Sequence, residues 1–216
     1  MALPRDLYQI DNIRRAWRWV RSNPNGAYKA YFRELYTAYS TAEDRLLDLL
    51  RVRISRGIYE PEAACKIYLP KKSGILRPLS LLAVEDQIAY QAAVNLVAEA
   101  LFPRVRARYL SEVFGNLYAG RTSIWFYRKW SGGYGAFNKA AIDAVTSGKK
   151  ITASFDLTAY YDSIDHKVLQ FFLVDLGLSR EFSQTLTDWL SKWTATDRNI
   201  FHGHGIPQGP LGSGLM

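Results

Sequence analysis

At 216 residues, with 48% apolar, 22% charged and 14% aromatic content, the chain has room for one large or two small domains with a substantial core, and its composition excludes disorder. Its net charge of +8 is unevenly placed: residues 151–216 carry 4 Lys/Arg against 7 Asp/Glu, net −3, and residues 1–150 carry 24 against 13, net +11. The single cysteine, Cys65, excludes an internal disulfide and suits a reducing cytosol, and with no leader and no bilayer-length apolar run visible the expectation is a cytoplasmic protein without a membrane partner.

In chain order, residues 5–21 alternate Arg with Ile13, Trp17 and Trp19 and predict a short basic helix, broken by Asn23-Pro24-Asn25-Gly26. Tyr28, Phe32, Leu35, Tyr36 and Tyr39 recur at helical spacing, and an aromatic stripe of that period reads as core. Ser40 with Glu43 resembles a capping box, opening a helix with a stripe of Leu46, Leu50 and Ile54 and a stop at Gly57. A strand over 65–70, a turn at Lys71-Lys72-Ser73-Gly74 and a returning strand over 75–80 predict a hairpin, with Cys65 as a packed small hydrophobe.

Residues 83–101 predict a helix whose first turn holds Glu85 and Asp86, where the helix dipole favours them. Residues 122–146 read as helical, interrupted by Gly132, Gly133 and Gly135, and ending at Gly148. Residues 151–157 read as a mostly apolar strand. Asp165 or Ser163 caps the next helix, with an apolar face of Val168, Leu169, Phe172, Leu173 and Leu176 closed by Gly177. Another helix starts at Ser179 and carries Leu186, Trp189, Leu190 and Trp193, before a strand from Phe201 to Ile206.

Three constellations carry chemistry. Asp156 stands at the end of the predicted strand, where a lone carboxylate is costly unless paired or holding a metal, and oxygen ligands suit Mg²⁺; a turn or capping aspartate is the alternative. Tyr161, five residues on, would face away from Asp156 along a straight strand, so the two serve one site only if Thr158-Ala159 turns the chain; a core tyrosine is the alternative. Asp162 and Asp165 read as turn and cap. The stretch Gly205–Gly214 holds four glycines and two prolines, with Gln208 offering an amide that both donates and accepts, and Pro210 suited to a helix's first turn. Lys71, Lys72 and Arg77 flank a hairpin tip and could clamp a triphosphate, or form an ordinary charged turn.

Taken together, Leu69–Leu79, Phe114-Gly115-Asn116-Leu117-Tyr118-Ala119-Gly120-Arg121, Phe155–His166 and Gly205–Gly214 resemble, in order and spacing, the motifs of a reverse transcriptase of the bacterial branch that includes group II intron, retron and abortive-infection or defence enzymes. The resemblance covers about residues 60–216. It implies an α+β chain with a polymerase right-hand fold: an N-terminal helical region (1–60), fingers (61–150) and a partial palm (151–216). It implies RNA-directed DNA synthesis by two-metal phosphoryl transfer, with two Mg²⁺ ions (or Mn²⁺ in their stead), an RNA template, a DNA or RNA primer and deoxynucleoside triphosphates, in a setting that includes antiviral defence.

By the same resemblance Asp156 is the first metal-binding carboxylate and the catalytic residue, and the Leu157 carbonyl is a second metal contact. Tyr161 selects the deoxyribose, Gln208 and Gly209 contact nucleotide and template, and Lys71 or Lys72 joins Arg77 at the triphosphate. Two departures stand out: Ser213-Gly214 where many members read Ser-Pro, and no Asp-Asp pair among the 216 residues. The expectation is that this chain alone is inactive. An RNA polymerase or a template-independent nucleotidyltransferase on the same palm, and a non-catalytic nucleic-acid-binding scaffold, are the alternatives.

Overall fold

The computed structural model describes residues 3–22, 26–71, 74–194 and 203–216. The predicted break at Asn23–Asn25 and the first two residues of the strand predicted over 201–206 lie outside them. The described residues are mostly helical, with one two-stranded sheet, and the fold class is α+β.

A 3₁₀ turn (Arg5–Tyr8) leads into α1 (Ile10–Ser22). Ile13, Ala16, Trp17 and Val20 recur at i, i+3, i+4 and i+7 and are all buried, as an amphipathic helix requires. Two short helices follow, α2 (Gly26–Ala30) and α3 (Arg33–Thr41), then α4 (Glu43–Ser55). The aromatic stripe is core at Tyr28, Phe32, Tyr36 and Tyr39, whereas Leu35 is exposed. Trp17 packs against Tyr36 and Tyr39, while Trp19 packs against Tyr118 and Phe126, so α1 lies between two aromatic groups. The capping box does not form: α3 runs on through Ser40, Ala42 precedes α4 without a side-chain cap, and the Glu43 carboxylate accepts from Trp17 Nε1 at 3.0 Å. Leu47, Leu50 and Ile54 are the buried face of α4, with Leu46 half-buried at its edge. Gly57, at φ +67°, ends it: the Gly57 and Ile58 amides bond back to Ile54 and Arg53.

The hairpin consists of β1 (Cys65–Pro70) and β2 (Leu76–Leu81), antiparallel, with Leu69 opposite Arg77 and Pro70 opposite Leu76. Cys65 is exposed rather than packed, since it opens the strand at an uncovered position. The long helix α5 (Val84–Val105) is buried on nearly every side from Asp86 to Ala98, which makes it the axis of the core. A polar chain crosses its contact with α1: Asn12 Nδ2 donates to the Ala92 carbonyl, Asn95 and Arg15 donate to Asn12 Oδ1, and Arg15 pairs with Glu99 at 2.6 Å. Asp86 is not merely a dipole partner. It is buried, accepts from the Tyr59 hydroxyl and the Glu62 amide, and burial raises its pKa above the ordinary carboxylate value.

Beyond α5, residues 118 and 127 form an antiparallel bridge, and α6 (Trp130–Thr146) begins eight residues later than predicted, because the stretch before it is engaged in that bridge. The strand predicted over 151–157 is absent. Residues 151–157 are exposed throughout and join no sheet: an apolar run signals a strand only where another strand is present to complete the ladder. After a turn come α7 (Tyr160–Ser163), α8 (His166–Asp175) and α9 (Arg180–Thr194). Helix α8 buries Leu169 and Leu173 but leaves Val168, Phe171 and Phe172 exposed, so the predicted face is only half covered. The four residues predicted for α9 are all buried. One apolar cluster draws on all three stretches of the chain, from Leu7 through Phe126 to Ile206. No helix among the described residues is long and apolar enough to cross a membrane.

Candidate functional site

The Gly/Pro loop is fastened on every side. Gly205 N donates to the Ile164 carbonyl and Ile206 N to the Tyr161 carbonyl, both at 2.7 Å, and His166 N donates to the Gly203 carbonyl at 2.9 Å. On its other flank the Ser80 amide of β2 donates to the Gln208 carbonyl at 2.8 Å. Ser213, buried, lies 2.5 Å from the Pro207 carbonyl and 3.2 Å from the Tyr90 hydroxyl, which closes the loop on itself and on α5. Gly209 adopts φ +126°, and a Cβ there would stand 2.6 Å from the Tyr28 ring, so glycine is required on both counts. Gly212 rests on Val94 of α5 in the same manner. Pro210 stands immediately before a 3₁₀ turn (Leu211–Gly214), not inside a helix.

The segment from Tyr160 to His166 is the loop's main support. Ala159 takes φ +51°, so the chain does turn at Thr158-Ala159, and Tyr161 is half-buried against the core. Asp165 caps α8 by accepting from the Lys167 and Val168 amides at 2.7 and 3.0 Å. Those backbone bonds, that of Val168 first, hold its pKa below the ordinary carboxylate range. Its other oxygen lies 3.3 Å from His204 Nε2. His166 is buried, with Nε2 2.6 Å from the Gly205 carbonyl and Nδ1 3.1 Å from Ser191 Oγ, and burial lowers its pKa. The sequence reading missed the roles of His166, Ser191 and Asp86. For His166 the signal was present, in that the histidine directly follows the capping aspartate and begins the helix.

The hairpin meets the same place. Lys66 Nζ reaches Asp162 Oδ1 at 3.7 Å, and the Tyr28 hydroxyl bonds the Ser80 carbonyl at 3.1 Å. Lys71 N donates to the Ile75 carbonyl at 2.8 Å, which carries the register one pair past the strand ends. With Leu69 opposite Arg77, the alternation of side chains puts Lys71 and Arg77 on one face of the hairpin as diagonal neighbours, both exposed. Lys72 lies outside the described residues.

While Lys71 and Arg77 stand exposed toward the hairpin tip, the structure therefore brings the base of the hairpin, at Ser80, together with Tyr161, Gln208 and Gly209. It does not bring Asp156 and Leu157 there: both are exposed, in the stretch that joins no sheet, and among the described residues neither is tied by a hydrogen bond or ion pair to the others. Among the described residues no group of three His, Cys, Asp or Glu side chains lies close enough to hold a metal ion. A carboxylate and a backbone carbonyl are the right kind of donor for Mg²⁺, but one carboxylate does not make a two-ion site.

No family model matches the chain. It is similar to Protein YkfC of Escherichia coli (strain K12), with 26% identity over 175 residues that make up 79% of this chain and 42% of that protein. The match thus spans less than half the length of that relative.

Proposed function

We propose that the chain is the fingers and part of the palm of a right-hand polymerase, an RNA-directed DNA polymerase that adds deoxynucleotides to a primer on an RNA template. One observation carries the reading. Three segments far apart in sequence, two of them resembling separate motifs and the third the strand residue that directly follows another, are joined by direct backbone hydrogen bonds: Ser80 to Gln208, Tyr161 to Ile206 and Ile164 to Gly205. A nucleotide-holding site needs that convergence, and chance placement of glycine loops and hairpins does not require it.

On this reading Lys71 and Arg77 offer cations to a triphosphate from one hairpin face, Arg by a fork and Lys as a point charge. The Tyr161 ring would meet the sugar of an incoming nucleotide and reject a 2′-hydroxyl. Gln208 and Gly209, on a loop that glycine geometry makes rigid, would set the base and the template. Asp156 and the Leu157 carbonyl would hold a magnesium ion, which supplies charge neutralisation at the transferring phosphoryl group. A two-ion site needs more donors than these two, and among the described residues no group of three His, Cys, Asp or Glu side chains lies close enough to hold a metal ion.

A second reading, a non-catalytic nucleic-acid-binding scaffold, is favoured by the unsupported state of Asp156. Primer extension separates the two. The polypeptide as its gene encodes it, given a primed RNA, deoxynucleoside triphosphates and Mg²⁺, is expected to extend the primer. Asp156→Ala should then lower the rate by about a thousandfold or more, the several kcal/mol that metal stabilisation contributes, while leaving nucleic-acid binding intact. Extension by the Asp156→Ala protein at the native rate would remove the metal assignment. Strong nucleic-acid binding with no extension on any primed template would leave the scaffold.

A further inference from the structure

Helix α6 lies against residues 114–117 at a distance only glycine permits. A Cβ on Gly133 would stand 2.1 Å from the Phe114 carbonyl oxygen. The contact sets the helix so that Trp130, Tyr134 and Phe137, at i, i+4 and i+7, line one side of an open cleft of about 800 Å³. Trp125 and Tyr127 line it as well, with Trp19 of α1. This is not buried core: Trp130 is 76% exposed, Tyr134 57% and Trp125 54%. Exposed aromatic surface gathered in one place marks a binding face.

The electrostatics decide what fits. No acidic residue lines the cleft, whereas Arg128 and Lys129 do and are exposed. An occupant has to bring negative charge for these two cations as well as surface for the rings. A single nucleic-acid strand offers what the wall lacks: flat π-faces for the aromatic rings and a phosphate for each cation. The cleft also adjoins the Gly/Pro loop, because Leu211 lines it and the Tyr127 hydroxyl donates to the Leu211 carbonyl at 3.1 Å.

We propose that the cleft between α6 and residues 114–127 is a stacking site for unpaired bases of a single nucleic-acid strand, with Trp130, Tyr134 and Trp125 against the bases and Arg128 and Lys129 at the phosphates. The inference rests on the nucleic-acid reading above for its class of ligand but not on the metal assignment, since none of residues 151–162 lines the cleft.

The test is a fluorescence titration of the 216-residue chain, with a short oligothymidylate and an abasic oligomer of equal charge as the two probes. The oligothymidylate should quench tryptophan emission and bind at least about tenfold more tightly than the abasic strand. Trp130→Ala and Tyr134→Ala should each remove roughly tenfold of that affinity, the size of one base stack. Both side chains are exposed, so the variants should keep the native circular dichroism. Arg128→Gln and Lys129→Gln should weaken both probes alike and flatten the salt dependence. Equal binding of the two probes would overturn the proposal. So would sedimentation showing a dimer that Trp130→Ala makes monomeric, which would assign the aromatic face to a second copy of the chain. Either failure leaves primer extension untouched, and absence of extension leaves the stacking measurement untouched, so the two readings fail separately.

Discussion

The loop at residues 205–214 and the stretch at residues 151–157 stand at opposite extremes of order. The loop is tied to β2, α7, α8 and α5, and two of its glycines sit where no other residue fits. The stretch carrying Asp156 has Phe155 at 93% and Ile151 at 91% exposure and no ladder partner. The two parts are specified by different neighbours. A loop whose neighbours are helices within the chain is held by those helices. A stretch that pairs with no strand and is exposed throughout has nothing to hold it, whatever its apolar content.

The comparison breaks most easily at the loop. Gly209→Ala is expected to cost about 2–4 kcal/mol, combining a disfavoured positive φ with a Cβ driven into the Tyr28 ring. Urea unfolding checks this, and a change below about 0.5 kcal/mol would mean that the loop is far less constrained than its contacts indicate. A smaller effect is expected at the turn that links the two regions. On the proposed polymerase reading, Tyr161→Ala should relax discrimination against ribonucleotides by roughly tenfold to a hundredfold, the scale on which a steric gate acts. Steady-state incorporation of ribo- and deoxynucleotides by the active polypeptide measures it, and an unchanged ratio would remove Tyr161 as the gate.

Much of this was legible in the sequence, and the failures have a common cause. The helical stripes of α1 and α9, the stop at Gly57, the hairpin and the Asp165 cap were all legible, because each depends on neighbours a few residues away. Ser40 was misread because its local signal competed with a continuing α3, and only the Trp17–Glu43 bond shows where the glutamate is engaged. Residues 151–157 and the outer face of α8 were misread because burial there depends on what lies opposite, which no local pattern contains. At the site, the sequence showed which residues to watch. It left open which hairpin lysine shares a face with Arg77, and the strand register assigns that place to Lys71.

A weaker effect, on pH, tests the loop from beneath. The folded site holds His166 below its ordinary 6.5, chiefly by burial, against an upward pull first from the Gly205 carbonyl, with His204 lowering it further and Asp165 and Asp188 raising it. The sign follows from linkage. Below about pH 6.5 the unfolded chain takes up a proton that the folded site resists, so this stabilisation is present above that pH and declines as pH falls through it toward the lower folded value. Asp86, raised by burial, works the opposite way. Urea midpoints between pH 7.5 and about 5.5 should therefore fall, and His166→Gln, whose amide still donates to Gly205, should flatten that part of the profile. An identical slope in the variant would assign the dependence to other groups.

The smallest expected effect is the most telling about the other side of the comparison. Phe155→Ser removes a large apolar side chain and would cost about 3–5 kcal/mol in a packed core. Here the ring is 93% exposed, so the change in stability of this chain should stay within about 0.5 kcal/mol. The same substitution in a polypeptide that supplies strands beside residues 151–157 should cost several-fold more, because the ring then has something to pack against. Parallel urea titrations of the two forms decide it. A large loss in the 216-residue chain would show that the stretch is already held, and the contrast with the loop would disappear. Equal, negligible losses in both would mean that residues 151–157 never enter a sheet, and the metal-binding reading of Asp156 would lose the strand end it depends on.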